Sequence, residues 1–280
     1  MAFISQSSIV DYTTRAYNGM DIERDGKLDR DDKEWNVGHG RRVFILLREI
    51  IRQVDSRKLS SLNVMNLSGL NEGKPDTVLF DLLKEHQPDL NIKWTIVDHP
   101  ASLTFTDPCI GGWAKQRGFE CIRHDYRNGP PPVGDAAADI VLCTEILEHL
   151  DYSVGIALLR SAKKVLRPGG LIIITTPNPL YLGYRILFAL GKWDFLHQMD
   201  EPEHVDQGVT GHTIYYDGQR LGRLLDKLGF VNIKTATFNA GHGPGEFRNV
   251  LRRSSAIILR AGSRLVPHSA QVLLACAERG

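Results

Sequence analysis

The sequence predicts an α/β fold in which a doubly wound, mostly parallel, seven-stranded sheet carries helices on both faces. Short apolar runs alternate with longer segments of helical periodicity, and turn residues separate them. Several of the runs are continuously apolar, as in strands that are buried on both faces. The seven predicted strands cover residues 62–67, 92–97, 119–122, 139–143, 171–175, 230–238 and 271–277.

The predicted helices precede these strands or lie between them. Residues 41–54 are strongly amphipathic, with apolar side chains at helical spacing. Residues 78–86 and 152–166 form two further predicted helices, and the second stops at Pro168-Gly169-Gly170. A short helix is expected around residues 9–17.

Three parts of the chain are expected. Residues 1–58 form a helical and charged appendage, and residues 59–280 form the main domain. Within that domain, residues 178–216 break the alternation with many Pro, Gly, His and aromatic residues, which predicts an insertion or lid over the site. The amphipathic segment 246–265 covers the sheet, forms a homodimer contact or touches a lipid surface; these alternatives stay open.

Composition excludes several classes of protein. The 34 basic residues nearly match the 33 acidic ones, and the net charge of +1 argues against a nucleic-acid substrate. The short basic pair Arg41-Arg42 is interpreted as a solvated helix face. The four cysteines form no Cys-x-x-Cys pair, which predicts neither a zinc knuckle nor a redox motif. No apolar run approaches the ~20 residues of a membrane span, and the N-terminus does not resemble a signal peptide. We therefore expect a cytoplasmic protein.

Two segments carry a family resemblance. Residues 139–150 read DIVLCTEILEHL, and residues 165–178 read VLRPGGLIIITTPN. In order and spacing they resemble class I S-adenosylmethionine-dependent methyltransferases, in particular the branch that methylates sugars, quinones and other small metabolites. Residues 216–230 resemble the helix that leads into this family's sixth strand. The resemblance covers roughly residues 60–277 and implies a Rossmann-like methyltransferase sheet, S-adenosylmethionine as cofactor and S-adenosylhomocysteine as product.

Ligands of such sheets bind at the carboxyl ends of the strands, near the switch in strand order. The resemblance therefore implies that Asp98 accepts hydrogen bonds from the ribose hydroxyls of the cofactor. It also implies that Asp125 and Tyr126 lie at the adenine. Thr144 and Glu145 would then face the methionine part. An aspartate at a strand end is alternatively a turn residue or a helix cap.

The first loop departs from the family pattern of an acidic residue followed by Gly-x-Gly-x-Gly. Residues 66–73 read NLSGLNEG, so Asn66 takes the place of the acid, and Ser68 and Gly69 make the tight turn. The cofactor has no phosphate, so the loop needs only close backbone approach. The same loop argues against a nicotinamide dehydrogenase, because such an enzyme must bind a pyrophosphate group at this position. The departure also motivates a second hypothesis, a catalytically inactive methyltransferase-like protein with a binding or regulatory role.

The predicted reaction is methyl transfer to a hydroxyl, or alternatively an amine, of a small molecule such as a sugar or secondary metabolite. A hydroxyl acceptor must lose its proton, and histidine is the usual base. We expect His204 as general base, with His212 next and His149 third. His204 is alternatively a structural loop residue, and His149 alternatively holds the start of a helix. Asn178 is a further candidate, to form a hydrogen bond with the acceptor or with the amino end of the cofactor.

One acidic segment matches a calcium-binding pattern at most positions. Residues 21–32 place oxygen ligands and a glycine as in an EF-hand loop. Glu23 at position 3 is longer than usual, and Asp32 at position 12 reaches bidentate geometry less easily than glutamate. Gly38 and Gly40 are also expected to interrupt the second helix that an EF-hand needs. We predict no metal ion; a calcium-responsive module is a third hypothesis, and a charged surface loop is the simple alternative.

Overall fold

The computed structural model describes residues 5–27, 30–67, 74–192, 212–240, 261–263 and 265–280, with the backbone alone for residues 30–35. Two 3₁₀ turns cover Tyr126–Asn128 and Leu147–His149. The helices are α1 (Gln6–Asp25), α2 (Arg30–Arg57), α3 (Lys74–His86), α4 (Leu103–Thr106), α5 (Pro108–Gln116), α6 (Tyr152–Val165), α7 (Leu182–Ala189) and α8 (Gly218–Lys227). The strands are β1 (Ser61–Asn66), β2 (Asn91–Asp98), β3 (Glu120–Arg123), β4 (Ala138–Thr144), β5 (Leu166–Pro177), β6 (Phe230–Phe238) and β7 (Val272–Arg279).

The strands form one seven-stranded sheet in the order β3-β2-β1-β4-β5-β7-β6. Strand β7 runs antiparallel to its neighbours β5 and β6, and the strands from β3 to β5 pair in parallel. This arrangement confirms the predicted fold class. The strand order reverses between β1 and β4, so the carboxyl ends of these two strands form the switch point at which ligands bind.

Helices cover both faces of the sheet. Leu46 and Ile50 of α2 belong to the apolar core on one face, together with residues of α1 and α3. Leu158 of α6 and Leu225 of α8 belong to the core on the other face. These four side chains are at most 1% exposed, and burying each stabilises the fold by about 1.5–3 kcal/mol.

Helix α2 continues through two glycines, so the expectation that Gly38 and Gly40 would interrupt a helix here is wrong. A Cβ atom on Gly40 would lie 3.0 Å from both the Cα and the carbonyl oxygen of Val10 in α1. Glycine therefore lets the two helices approach closely. That packing outweighs the cost of about 1 kcal/mol that a glycine brings to a helix interior.

As predicted, α6 ends just before Pro168-Gly169-Gly170. However, β5 begins at Leu166, so these three residues lie inside the strand and not in a turn before it. Gly169 has a φ of +69°, which suits glycine. A Cβ atom on Gly170 would lie 2.8 Å from the carbonyl oxygen of Arg167 and 3.1 Å from that of Asp139. The absence of a side chain at Gly170 therefore lets this part of β5 lie close to β4.

The segment with the calcium-binding pattern begins inside a helix. Asp21 lies in α1 and is buried, and its carboxylate accepts hydrogen bonds from the Asn36 amide, at 2.8 Å, and from Lys74. Residues 21–25 are helical, which differs from an EF-hand loop. Lys74 opens α3, so this contact connects the N-terminal helices to the chain that follows the first loop.

None of the helices in the described ranges is long and apolar enough to cross a membrane.

Candidate active site

Polar side chains follow each strand from β1 to β5 at the carboxyl edge of the sheet. The predicted cofactor contacts Asn66, Asp98, Asp125, Thr144 and Glu145 lie at or directly after the ends of these strands. Ser68 and Gly69 lie outside the described residues. The edge divides into a β1–β2 part and a β4 part, and their chemistry differs.

At the end of β1, Asn66 contacts a buried acid in α3. Its amide donates hydrogen bonds of 2.9 and 2.8 Å to the two carboxylate oxygens of Asp76. The indole of Trp94 donates a third, of 2.7 Å. Burial raises the pKa of Asp76 to about 7 despite these donors. Asp76 of α3 thus accepts hydrogen bonds from the asparagine that takes the place of the usual acid. This contact was not predicted from the sequence.

At the end of β2, Asp98 is buried and held by its own neighbours. One carboxylate oxygen accepts from the main-chain amide of His99 at 2.8 Å. The other accepts from the Thr104 hydroxyl at 3.1 Å. Burial raises the pKa of this carboxyl. Because a carboxylate has about four acceptor positions, these two bonds leave capacity for further donors.

After β3, Asp125 and Tyr126 begin a short 3₁₀ turn. The Asp125 carboxylate accepts hydrogen bonds from the guanidinium of Arg127, at 2.7 to 3.0 Å, and these bonds lower the pKa of Asp125 to about 2. Tyr126 is buried, and its hydroxyl lies 3.5 Å from the carbonyl oxygen of Leu67 beyond β1. Tyr126 therefore faces the switch point, while Asp125 pairs with a largely exposed arginine.

After β4, Glu145 takes a φ of +52°, and its amide donates to the carbonyl oxygen of Thr175 at 2.8 Å. Its carboxylate lies 3.1 Å from the guanidinium of Arg42, and the two side chains are 15% and 12% exposed. Within the described part of the chain, Oε1 of Glu145 and Nε of Arg42 are buried and have no hydrogen-bond partner. Thr144, just before Glu145, is buried.

Arg42 was not expected at the site, because the Arg41-Arg42 pair was interpreted as a solvated helix face. That interpretation is wrong for Arg42. It lies four residues before the buried Leu46, and residues four apart share one helix face. The spacing was therefore the signal that places Arg42 on the inner face of α2.

Beyond Glu145, the 3₁₀ turn presents Glu148 and His149. Glu148 is 1% exposed, and its Oε2 accepts from the Thr176 hydroxyl at 2.9 Å. Its Oε1 has no partner among the described residues. The ring centroids of His149 and His212 are 4.9 Å apart. The structure thus brings the second and third predicted base candidates together beside a buried carboxyl group.

Two other candidates remain to be placed. His204, the preferred general base, lies outside the described residues, as does most of the segment 246–265. Asn178 was a further candidate for the acceptor side. Its amide donates to the carbonyl oxygens of His268 and Ala270 at 2.9 and 2.7 Å, and its Oδ1 accepts from the amide of Leu180. Asn178 therefore ties β5 to the chain that precedes β7.

The sheet order, the antiparallel β7 and the polar carboxyl edge define the fold of a class I S-adenosylmethionine-dependent methyltransferase. Residues 65–235 match the family described as "Methyltransferase domain", and this match covers more than half of the chain. The chain belongs to this methyltransferase family, whose cofactor is S-adenosylmethionine.

Two curated relatives are described as probable S-adenosylmethionine-dependent methyltransferases. One, from Mycolicibacterium smegmatis, is 30% identical over 139 residues, which is 49% of this chain and 46% of the relative. The other, from Mycobacterium tuberculosis, is 31% identical over 113 residues, or 40% of this chain and 33% of the relative. The matches therefore span less than half the length of these relatives.

Solved structures share the fold at low sequence identity. The magnesium protoporphyrin IX methyltransferase of Synechocystis PCC 6803 superposes with a TM-score of 0.54 at 15% identity, covering 99% of this chain and 100% of that chain. The CurJ carbon methyltransferase superposes with a TM-score of 0.55 at 13% identity, covering 98% and 70%.

Proposed function

We propose that this protein transfers the methyl group of S-adenosylmethionine to a hydroxyl group of a small molecule, with an amine acceptor as the alternative. The pair of Arg42 and Glu145 carries the proposal. Opposite charges lie at the switch point of the sheet, and each has a buried polar atom without a partner in the described part of the chain. A buried polar group without a hydrogen bond is costly, so a ligand that supplies the missing bonds is favoured.

The residues present fit the cofactor. The methionine end of S-adenosylmethionine carries an ammonium group, which matches the open oxygen of Glu145, and a carboxylate, which matches the open N–H of Arg42. The unused acceptor positions of Asp98 suit the two ribose hydroxyls. Tyr126 offers a buried ring at the adenine side. When bound there, the cofactor supplies a methyl group on a positively charged sulfur, which is already an activated leaving group.

A cavity along the same edge of the sheet suits a small acceptor. It has a volume of about 590 Å³ and includes the end of β6, near Phe238 and Asn239, and Arg41 of α2. Pockets for small ligands typically measure roughly 300–1,000 Å³. Apolar and hydrogen-bonding side chains both line the cavity, which favours an acceptor that has a ring or hydrocarbon part as well as hydroxyl groups.

The histidine pair supplies a route for the acceptor proton. As the new O–C bond forms, the hydroxyl proton passes to an imidazole nitrogen of His212 or His149, and the electrons of the broken S–C bond stay on sulfur. An imidazole suits this step because its ordinary pKa of about 6.5 lies close to neutral pH. His204 remains the alternative base.

Calorimetric titration of the purified protein with S-adenosylmethionine and with S-adenosylhomocysteine tests the proposal. We expect binding of both, and at least about tenfold weaker binding in Asp98→Ala and in Arg42→Gln, since each variant loses charge-assisted hydrogen bonds. Arg52→Gln is the matched control. Arg52 lies on the same helix, its side chain is 65% exposed, and it pairs with Glu49.

Failure of a folded protein to bind either ligand would overturn the proposal. The second hypothesis, a catalytically inactive binding protein, would then replace the proposed function. The departure from the family pattern at Asn66 supports that hypothesis. If binding is found, a screen of hydroxyl and amine acceptors with detection of S-adenosylhomocysteine decides between O- and N-methylation.

A further inference from the structure

Glu148, His149 and His212 bring three ligand atoms together at the acceptor side of the site. One atom from each side chain, two imidazole nitrogens and a carboxylate oxygen, lies within 4.8 Å of the other two. Glu148 and His149 are neighbours on one 3₁₀ turn. His212 comes from a different part of the chain, a few residues before α8.

Main-chain hydrogen bonds hold this cluster in place. The carbonyl oxygen of Glu148 accepts from the amide of Thr213 at 2.7 Å and from its hydroxyl at 3.2 Å. The Thr213 hydroxyl also lies within 3.1 Å of the carbonyl oxygen of Leu150. Because Thr213 follows His212 directly, these bonds fix the chain that carries His212 against the turn that carries His149. These hydrogen bonds thus fix the backbone positions of the residues that carry the three ligand atoms.

The carboxylate of Glu148 points to a ligand. Although the side chain is 1% exposed, only Oε2 has a partner, the Thr176 hydroxyl. Oε1 is buried without one among the described residues. A native structure satisfies most buried polar atoms, so an exception of this kind calls for an explanation. A cation held between this carboxylate and the two imidazoles would give Glu148 a further interaction.

We propose that Glu148, His149 and His212 bind one divalent transition-metal ion of the zinc class. Two imidazoles and one carboxylate suit zinc, cobalt or iron, whereas magnesium and calcium prefer oxygen ligands. Ligand distances of about 2.0–2.2 Å leave the ligand atoms roughly 3–3.5 Å apart, so modest side-chain rotation closes the cluster around an ion. Three protein ligands leave a fourth position open, as in catalytic zinc sites.

The open position gives the ion a role in the proposed reaction, and this role rests on the proposed function. A hydroxyl oxygen of the acceptor takes the fourth position, and the charge of the ion lowers the pKa of that hydroxyl. Its proton then leaves to water. The oxygen forms the bond to the methyl carbon while the bond from that carbon to the cofactor's sulfur breaks, and the electrons of the broken bond stay on sulfur. His149 and His212 serve as ligands in this case rather than as bases. Metal binding itself does not depend on the cofactor.

Metal binding to the full chain tests the inference directly. Protein treated with a chelator and then dialysed is titrated with Zn²⁺ by calorimetry and with Co²⁺ by visible absorption. We expect one ion per chain, and the visible bands of Co²⁺ in a four-coordinate site with nitrogen and oxygen ligands.

Single variants assign the ligands. Glu148→Gln, His149→Gln and His212→Gln should each weaken Zn²⁺ binding by roughly tenfold or more, because each removes one of three protein ligands. His86→Gln is the matched control. His86 ends α3, which leads to the amino end of β2 at the opposite edge of the sheet, and this variant should bind like the wild type. Thermal unfolding of every variant shows that it is folded.

Three results would overturn the inference: no stoichiometric binding by the wild-type protein, wild-type affinity in all three ligand variants, or an equal loss of affinity in the control His86→Gln. Titration with S-adenosylmethionine is run on the same samples. Zinc binding without cofactor binding would leave the metal site standing and reject the proposed function. Cofactor binding without zinc binding would do the reverse.

Discussion

The two parts of the site differ in the hydrogen bonds that a buried acid accepts. On the β1–β2 side, Asp76 is 1% exposed, and both of its oxygens accept hydrogen bonds, from Asn66 and from Trp94. On the β4 side, Glu148 is also 1% exposed, but one of its oxygens has no partner in the described part of the chain. Asp76 and Glu148 are therefore equally buried, but within the described ranges only Asp76 has a hydrogen-bond partner for both of its carboxylate oxygens.

This difference distinguishes a carboxyl group that the chain itself satisfies from acids that still have a buried atom without a partner among the residues described. The chain alone satisfies Asp76, so that acid serves to fix the end of β1. Around β4, Glu148, Glu145, Arg42 and Thr175 all have a buried polar atom that no described residue satisfies. Because such atoms are costly to bury, they support the proposals that place the cofactor and a metal ion there.

Asp76→Ala should have the largest effect on stability. It leaves two buried donors, the Asn66 amide and the Trp94 indole, without their common acceptor. Since each unsatisfied group costs roughly 1–3 kcal/mol, we expect a loss of about 3 kcal/mol. Urea unfolding at constant pH measures it.

The matched control is Asp81→Ala on the same helix. Asp81 pairs with Arg117, and its side chain is 32% exposed, so this variant should lose no more than about 1 kcal/mol. Equal losses in the two variants would show that the cluster around Asp76 is not the support described above.

The second prediction concerns pH. The pKa of Asp76 is raised from 3.8 to about 7 in the folded protein, so the folded state binds more protons than the unfolded state between these values. The stabilisation is therefore present at low pH and is lost as the pH rises towards 7. Between pH 5 and pH 8 this group should lower the free energy of unfolding by about 2.5 kcal/mol.

Comparison with Asp76→Asn isolates this contribution. The stability of wild type minus that of Asp76→Asn, from urea unfolding at both pH values, should fall by the predicted amount as the pH rises. Asp81→Asn should show no such trend. A difference that stays constant with pH would mean that Asp76 remains ionised throughout this range.

The smallest effects are expected at two neighbouring threonines of β5, both fully buried. Thr176 donates to Glu148, so Thr176→Val should cost about 1 kcal/mol. The Thr175 hydroxyl has no partner among the described residues, so Thr175→Val should gain up to about 1 kcal/mol. Thermal unfolding of the metal-free protein compares the two, and a loss in both variants would contradict the idea that the β4 side is incompletely satisfied.

Much of the fold was predictable because its signals are local. The buried strands are continuous apolar runs, and the Pro-Gly-Gly sequence places the start of β5 to within a few residues. The extent of α2 was not predictable, because Gly38 and Gly40 argue against a helix. Only the contact between Gly40 and Val10 of α1 explains why the helix continues.

The site was partly predictable, because strand ends can be read from the sequence. Asp98 and Glu145 follow from their strands, although their roles remain predictions. Arg42, Asp76 and Glu148 were missed as site residues. Each is far in sequence from, or on a different element than, the groups that it contacts. No metal site was predicted from the sequence, and His149 and His212 are 63 positions apart in the numbering.

By itself, the sequence determined the order of strands and helices, the class of fold and the family resemblance, since hydrophobic periodicity and turn residues act over a few neighbouring positions. The tertiary structure decided which polar groups are satisfied. It joins Asn66 to Asp76, Arg42 to Glu145 and His149 to His212. Whether a buried polar atom has a partner depends on residues distant in sequence, and only the packed chain brings those residues together.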